Sequence, residues 1–392
     1  MLNTFKLARV SAKGLLLSAI IFVPLFIPFC FIVLSEVAQI EKANDIQIVI
    51  ERDALEADLS RFYPRKIFKI GVFVDDIANI NFEDYFCKSK FIFWANNFFN
   101  RSANDRSQIG EKPFVILNAE DLAIEKRSIS YVENLKQMSR VDTEGDPFVS
   151  YISYSAQGNL NQEFYLRHYP FDEHQLKIIV EPRKHTATDM LLGIDPNSAI
   201  SSDINLDNWK IISFKGSSEL YTKKSDFSDP HLIKSGVIWN VVPRATFSVF
   251  LKRNPLSHLL KEMLPLLILL IIAYSNFFVD PAYFDAKSAV AITSFLACTA
   301  LHWTSGSELP GVGYITAMDE FFLYSYSLLL LVTAEAVVSH YLLRGAAEGS
   351  EQVDSKEEKL HPWFRFVIPT VRVIAPIYLA GSWYYIVLNH IR

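Results

Sequence analysis

Cysteine is scarce in this chain. Cys30, Cys87 and Cys298 are all there are, too few and too far apart for a disulfide framework or a cysteine-based zinc site. Glycine is sparse too, 14 residues against 30 Phe and 17 Tyr, which excludes collagen-like, coiled-coil and low-complexity chains. There is no basic excess: 38 Lys and Arg face 43 Asp and Glu, for a net charge of −5, so nothing points to nucleic acid. The sequence also lacks a nucleophile elbow, an H-E-x-x-H pair, a P-loop and a dinucleotide fingerprint. His168 and His174 flank a turn without metal-ligand spacing. Asp195, Asp203 and Asp207 read as a solvated loop before they read as a cation site. An enzyme is not expected, nor a metal or a cofactor.

What is present is apolar. Half of the 392 residues are hydrophobic, and the mean hydropathy is +0.17. Residues 14–34 form one apolar stretch behind Lys6, Arg9 and Lys13. About half the chain then passes with no segment able to span a bilayer. Four apolar segments crowd the C-terminal third, predicting spans at about 258–279, 285–305, 319–343 and 363–389, each near the ~20 residues a bilayer needs. With a cytoplasmic N-terminus, the inside segments hold Lys6, Arg9, Lys13, Lys287, Arg344, Lys356 and Lys359, while the short loop 306–318 has no Lys or Arg. That asymmetry follows the positive-inside rule and exports the middle region. The first stretch is a signal anchor or a signal peptide. Its length exceeds the usual ~7–15 apolar residues of a signal peptide, and no A-x-A site follows.

The expected organisation is a basic N-terminus and anchor over 1–36, a helical linker over 37–64, an exported β domain over 65–252 and a membrane domain over 253–392. The linker is expected to be helical because Ile48, Leu55, Leu59 and Phe62 recur at helical spacing. From Lys66 the pattern turns to short alternating runs punctuated by turn residues, such as 67–74, 90–94, 148–154, 175–180, 209–214 and 237–251. Many short strands of this kind predict a sandwich of about ten strands, immunoglobulin-like, ahead of an all-α four-helix membrane bundle.

Residues 163–176 read EFYLRHYPFDEHQL. This segment resembles the pentameric ligand-gated ion channels, or Cys-loop receptors, most closely their prokaryotic branch. Tyr169, Pro170, Phe171 and Asp172 match the family's Pro-loop. Gln162 and Leu176 stand where animal members carry the bracketing cysteines. Further matches follow in order: Lys252-Arg253 before the first span, Pro265 within it, the second span with its exit linker Leu309-Pro310-Gly311, and Ser339-His340-Tyr341 closing the third. The resemblance covers about residues 65 to 392. It implies a homopentamer in a bilayer, with the chain crossing a bacterial inner membrane several times and its β domain on the periplasmic side.

The second span is too polar for a lipid-facing helix. Asp285, Ala289, Thr293, Leu296, Ala300, Trp303 and Ser307 recur by fours and threes, one narrow stripe at about 100° per residue. A stripe of this kind is either a polar seam buried in a bundle or the wall of a water-filled path. The resemblance selects the pore. Leu296 is then the expected hydrophobic gate, with Trp303 its rival. Asp285 becomes a ring of carboxylates that predicts cation selectivity. Lys287, two residues on, points away from the axis because two residues turn a helix by about 200°.

The resemblance further implies that a ligand acts outside and that its effect reaches the pore through the Pro-loop, Arg253 and the linker at Pro310, with Asp172 and Arg253 as an ion pair. Trp94, Tyr221 and Phe227 are the candidate ligand-binding aromatics, which would suit an amine through cation–π attraction. Protons are a second possible agonist, through His168, His174 and His302; another small molecule or an ion is a third. A membrane-tethered sensor or binding protein that conducts nothing is the competing function.

Overall fold

A computed structural model of the chain describes residues 27–28, 31–35, 37–39, 47–50, 66–100, 114–132, 147–183, 190–223, 240–306, 309–348 and 362–391. They divide into two compact units. One comprises Ala43–Phe164 and Glu173–Lys252; the other joins Tyr165–Asp172 and Arg253–Arg392 to the N-terminal Met1–Lys42. The Pro-loop therefore belongs to the helical unit, although both flanking segments are β structure.

Among the described residues the β unit has eleven strands: β1 Gln47–Ile50, β2 Lys66–Asn81, β3 Phe86–Asn100, β4 Phe114–Ile116, β5 Ala119–Val132, β6 Pro147–Asn161, β7 Glu173–Pro182, β8 Met190–Ile194, β9 Ala199–Ile200, β10 Trp209–Lys223 and β11 Asn240–Arg253. One sheet runs β1-β10-β11-β7-β4; the other runs β5-β6-β3-β2-β8, with β9 also on β2. Alternation explains the packing. In β2 and β3, Ile70, Val72, Val74, Phe91 and Phe93 turn inward and are buried, as a period of two requires. Phe214 of β10 stacks on Phe247 of β11, ring centroids 6.2 Å apart. The Phe68 ring of β2 meets Phe114 of β4 edge-on at 6.1 Å, joining the two sheets into a sandwich. Gly71 is where it is because Trp94 lies across it: a Cβ there would sit 2.2 Å from the indole.

One expectation meets a correction here. The helical linker expected over 37–64 contains a strand at Gln47–Ile50 instead, which pairs in parallel with Ser213–Gly216 of β10. A β-branched Ile-Val-Ile run fits a sheet edge better than a helix, and the β domain accordingly begins before residue 65. The places of the missing cysteines are bridged differently. The buried Gln162 side chain donates to the Lys177 carbonyl at 3.0 Å and accepts from the Lys177 amide at 2.8 Å. One amide thus ties the start of the 162–176 segment to the strand just beyond its end. Beside it, burial pushes the Cys87 thiol up from its ordinary value, against hydrogen bonding from Ser89 and Gln162.

Among the described residues the helical unit contains four helices long and apolar enough to cross a membrane. We label them α1 Leu256–Phe278, α2 Phe284–Gly306, α3 Ala317–Glu348 and α4 Pro362–His390. α1 has a π-helical turn at Leu259–Met263 and ends in a 3-10 turn at Asn276–Phe278. The bundle core is built from Leu266, Tyr274, Phe321, Phe322, Leu379 and Trp383 among others. Leu330, Tyr341 and Ile374 face outward, as lipid-facing side chains of a membrane bundle do.

Candidate functional site: the α2 stripe and the Pro-loop cluster

α2 divides sharply by face. Lys287, Ala291, Ser294, Cys298 and Ser305 are buried against the rest of the bundle. Asp285, Ala289, Thr293, Leu296, Ala300 and Trp303 are all exposed, with Leu296 at 62% and Trp303 at 82%. Large apolar side chains left this open in one chain have no partner within it. The hydroxyl of Thr293 donates to the Ala289 carbonyl at 2.5 Å and that of Thr299 to Phe295 at 2.9 Å. These bonds satisfy the polar residues of an apolar helix from its own backbone. Ser307 and Glu308 lie outside the described residues.

Lys287 confirms the geometry of the helical turn. It is 1% exposed, on the face opposite Asp285, and its ammonium donates to Glu335 of α3 at 2.7 Å. The Asn276 side chain of α1 donates to the Lys287 carbonyl at 2.9 Å. Arg372 of α4 also interacts electrostatically with Glu335. Each of the four helices thus contributes a polar group to one buried cluster. Ionisable residues inside spans are rare and bear on function by default.

At the opposite end of α2 the Pro-loop residues gather. The Arg253 guanidinium grips Asp172 with two bonds, Nε to Oδ1 at 2.6 Å and NH2 to Oδ2 at 2.9 Å. Asp172 is 1% exposed. This is the bidentate geometry that makes arginine pairs strong. Arg253 also lies over the Tyr169 ring, 4.9 Å from its centroid. Tyr169 and Phe171 are buried in the bundle core, and the Tyr169–Pro170 peptide is cis. The linker before α3 docks on the same loop. The Leu166 amide donates to the Tyr314 hydroxyl at 2.9 Å, and the Ala317 amide donates to the Arg167 carbonyl, also at 2.9 Å. Pro310 is half-buried in that linker.

Three residues of this cluster, His258, Glu262 and His390, are not among those the sequence reading names. Tyr169 hydroxyl lies 2.8 Å from Nδ1 of His258. Glu262, one turn on, accepts a hydrogen bond from the Ser305 hydroxyl of α2 at 2.7 Å. His168 of the loop meets His390 at the end of α4, Nδ1 to Nδ1, at 2.9 Å. The available signal is a carboxylate within an apolar span, Glu262 beside Lys261 and Glu335 by itself.

Of the candidate ligand residues, Trp94 and Tyr221 lie on different sheets. Trp94, on β3, donates its indole N–H to Asp195 at 2.8 Å. Asp195 is itself buried and accepts further bonds from Asn96 and Asn197. Tyr221, on β10 of the other sheet, is exposed, but the Arg244 guanidinium already covers its ring at 3.6 Å. Arg244 is in turn held by the buried Glu181 at 2.8 Å. Phe227 lies outside the described residues. No group of three or more metal-ligating side chains occurs among the described residues.

A β-sandwich, four bilayer-length helices and a Pro-loop bound to the helical unit have the architecture of the pentameric ligand-gated ion channel superfamily that residues 163–176 resemble. The comparison with known proteins agrees. Over 253 residues, 64% of its length, the chain is 23% identical to a protein of Gloeobacter violaceus described as a proton-gated ion channel, and is a homologue of it. The match spans 64% of that relative, just under two thirds of its length. No protein-family profile matches the chain.

Proposed function

We propose that the chain is a subunit of a ligand-gated, cation-selective channel. Five identical copies surround a pore lined by the α2 stripe of Asp285, Ala289, Thr293, Leu296, Ala300, Trp303 and Ser307. The observation that carries this reading is the division of α2. Its buried face packs on the bundle, while Asp285, small residues, Leu296 and Trp303 stand exposed along the stripe, flanked by the exposed Ile292 and Phe295. One chain supplies one such helix, so a water-filled path needs several around an axis.

In this reading Leu296 closes the pore as a ring of aliphatic side chains that excludes water. Asp285 selects cations, and Glu335 removes the one competing positive charge by holding Lys287 inside the bundle. Agonist action in the β domain reaches α2 through Tyr169, Pro170, Phe171, Asp172, Arg253 and Pro310. The homologue's description makes protons the first agonist to test; Arg244 over the Tyr221 ring counts against an amine resting there. The chain lies in a bacterial inner membrane with its β domain outside the cytoplasm.

The test is electrical. Full-length protein reconstituted in planar bilayers should give unitary currents when the β-domain side is acidified. Silence across pH and across candidate amines and divalent ions, from protein that assembles normally, would leave a membrane-tethered sensor as the function.

A further inference from the structure

We propose that His258 is a proton-binding site, and that the proton it takes up transfers its Nδ1 hydrogen bond from the Pro-loop to Glu262. The inference rests on the channel reading for its consequence, although not for the site itself. His258 sits in the first turn of α1 and is 9% exposed. Its Nδ1 has two partners within reach, the Tyr169 hydroxyl at 2.8 Å and Glu262 Oε1 at 3.4 Å. Its Nε2 is buried and has no hydrogen-bond partner among the described residues. The backbone between His258 and Glu262 is the π-helical turn Leu259–Met263, a distortion found frequently at functional sites.

One ring nitrogen cannot serve both neighbours in the same way. In the neutral ring with its hydrogen on Nε2, the Nδ1 lone pair accepts the Tyr169 hydroxyl. Glu262 Oε1 then faces a lone pair and gains nothing. Adding a proton from water to Nδ1 reverses the roles. The new N–H donates to the carboxylate as a charge-assisted bond, and the Tyr169 hydroxyl no longer donates to Nδ1. The buried pair also passes from a net charge of −1 to zero, which lowers the penalty of holding a carboxylate inside a span.

The surrounding groups are consistent with a proton destined for this ring. From the Pro-loop side come Tyr169 and Asp172, the latter paired with Arg253. From α1 itself comes Glu262. From α2 comes the neutral Ser305, while His302 on that helix is engaged by Asp319 at 3.1 Å and Tyr326 at 3.2 Å. Because Ser305 donates to the other oxygen of Glu262, one proton alters both the Pro-loop contact and the outer end of α2.

Two readouts on the reconstituted full-length protein test this. Currents give the pH of half-activation, and infrared difference spectra between about pH 7.5 and 5 report histidine and carboxylate protonation without any need for conduction. His258→Asn and Glu262→Gln should each move half-activation by at least about one pH unit, a tenfold change in proton concentration, and each should remove its own band from the difference spectrum. Tyr169→Phe, which deletes the competing bond, should move half-activation toward neutral pH. A wild-type pH response together with an unchanged spectrum in His258→Asn would overturn the proposal. If that variant does not assemble, an unchanged response and spectrum in Glu262→Gln overturn it equally. If the wild-type protein carries no current at all, the channel reading fails, and the spectra alone still decide whether His258 binds the proton.

Discussion

Replacing Glu335 by Ala would strand Lys287 inside the bundle. The ammonium is fully enclosed and lies 2.7 Å from the carboxylate. Removing one member of a buried pair costs about 3–5 kcal/mol, because the remaining charge has neither water nor partner. Arg372 of α4 also draws on Glu335, so two cations would lose one anion. The opposite variant is milder: Lys287→Met leaves Glu335 with Arg372 and fills the lysine's volume with an apolar chain. The expected order of stability is wild type, then Lys287→Met, then Glu335→Ala. The double variant Lys287→Met/Glu335→Leu should recover part of the loss, since a well-packed apolar pair often replaces a buried ion pair at little cost. Thermal unfolding of the detergent-solubilised assembly, followed by size-exclusion chromatography, measures this directly. If Glu335→Ala melts with the wild type, Lys287 is not held by Glu335, and its removal from the pore axis needs another explanation. Lys287→Met should also leave ion selectivity unchanged, because that charge does not reach the exposed face of α2.

Leu296→Ser should raise the basal current or lower the agonist concentration needed, because a hydroxyl ring wets a constriction that leucine keeps dry. If Leu296→Ser changes neither and Trp303→Ala changes both, the gate is at Trp303. Gln162→Ala should destabilise the β unit by about 1–3 kcal/mol by orphaning the Lys177 amide, while the Lys177 carbonyl keeps its bond from the Asn118 side chain. Its effect would be read as a lower melting temperature and as loss of hydrogen-exchange protection at the Lys177 amide. Unchanged protection there would show that the glutamine does not replace the missing disulfide.

The features legible from the sequence were those written in local periodicity. The alternating runs marked strands, although β2, β3, β6 and β10 run six to nine residues beyond them, and the four apolar segments became helices. The α2 stripe followed from spacing alone, and so did the opposite orientation of Lys287. Asp172 and Arg253 could be paired because the YPFD motif and the residue before the first span have a known relation in the family resembled. Partners remote in sequence and without a motif could not be found. Glu335 is 48 residues from Lys287, and no local pattern links them. His258 and Glu262 sit in an apolar span whose pattern hides them, although a carboxylate there is a signal in its own right. Gln162 was noticed only for what it is not, a cysteine; its two bonds to Lys177 depend on strand register. At Gln47–Ile50, four residues satisfied both a helical and an extended pattern, and pairing with β10 decided between them.

The most direct test of the central claim is a reversal potential. Wild-type channels in a planar bilayer under a KCl gradient should reverse near the potassium equilibrium potential. Unit charges about 4 Å apart interact by roughly 1 kcal/mol even in water, so several Asp285 carboxylates around one axis would supply a few kcal/mol in favour of cations. Asp285→Ala should move the reversal potential toward zero. Should selectivity persist in that variant, the filter lies elsewhere, with Glu308 the next residue to replace. A wild-type reversal near the chloride equilibrium potential would contradict cation selection at the α2 stripe outright.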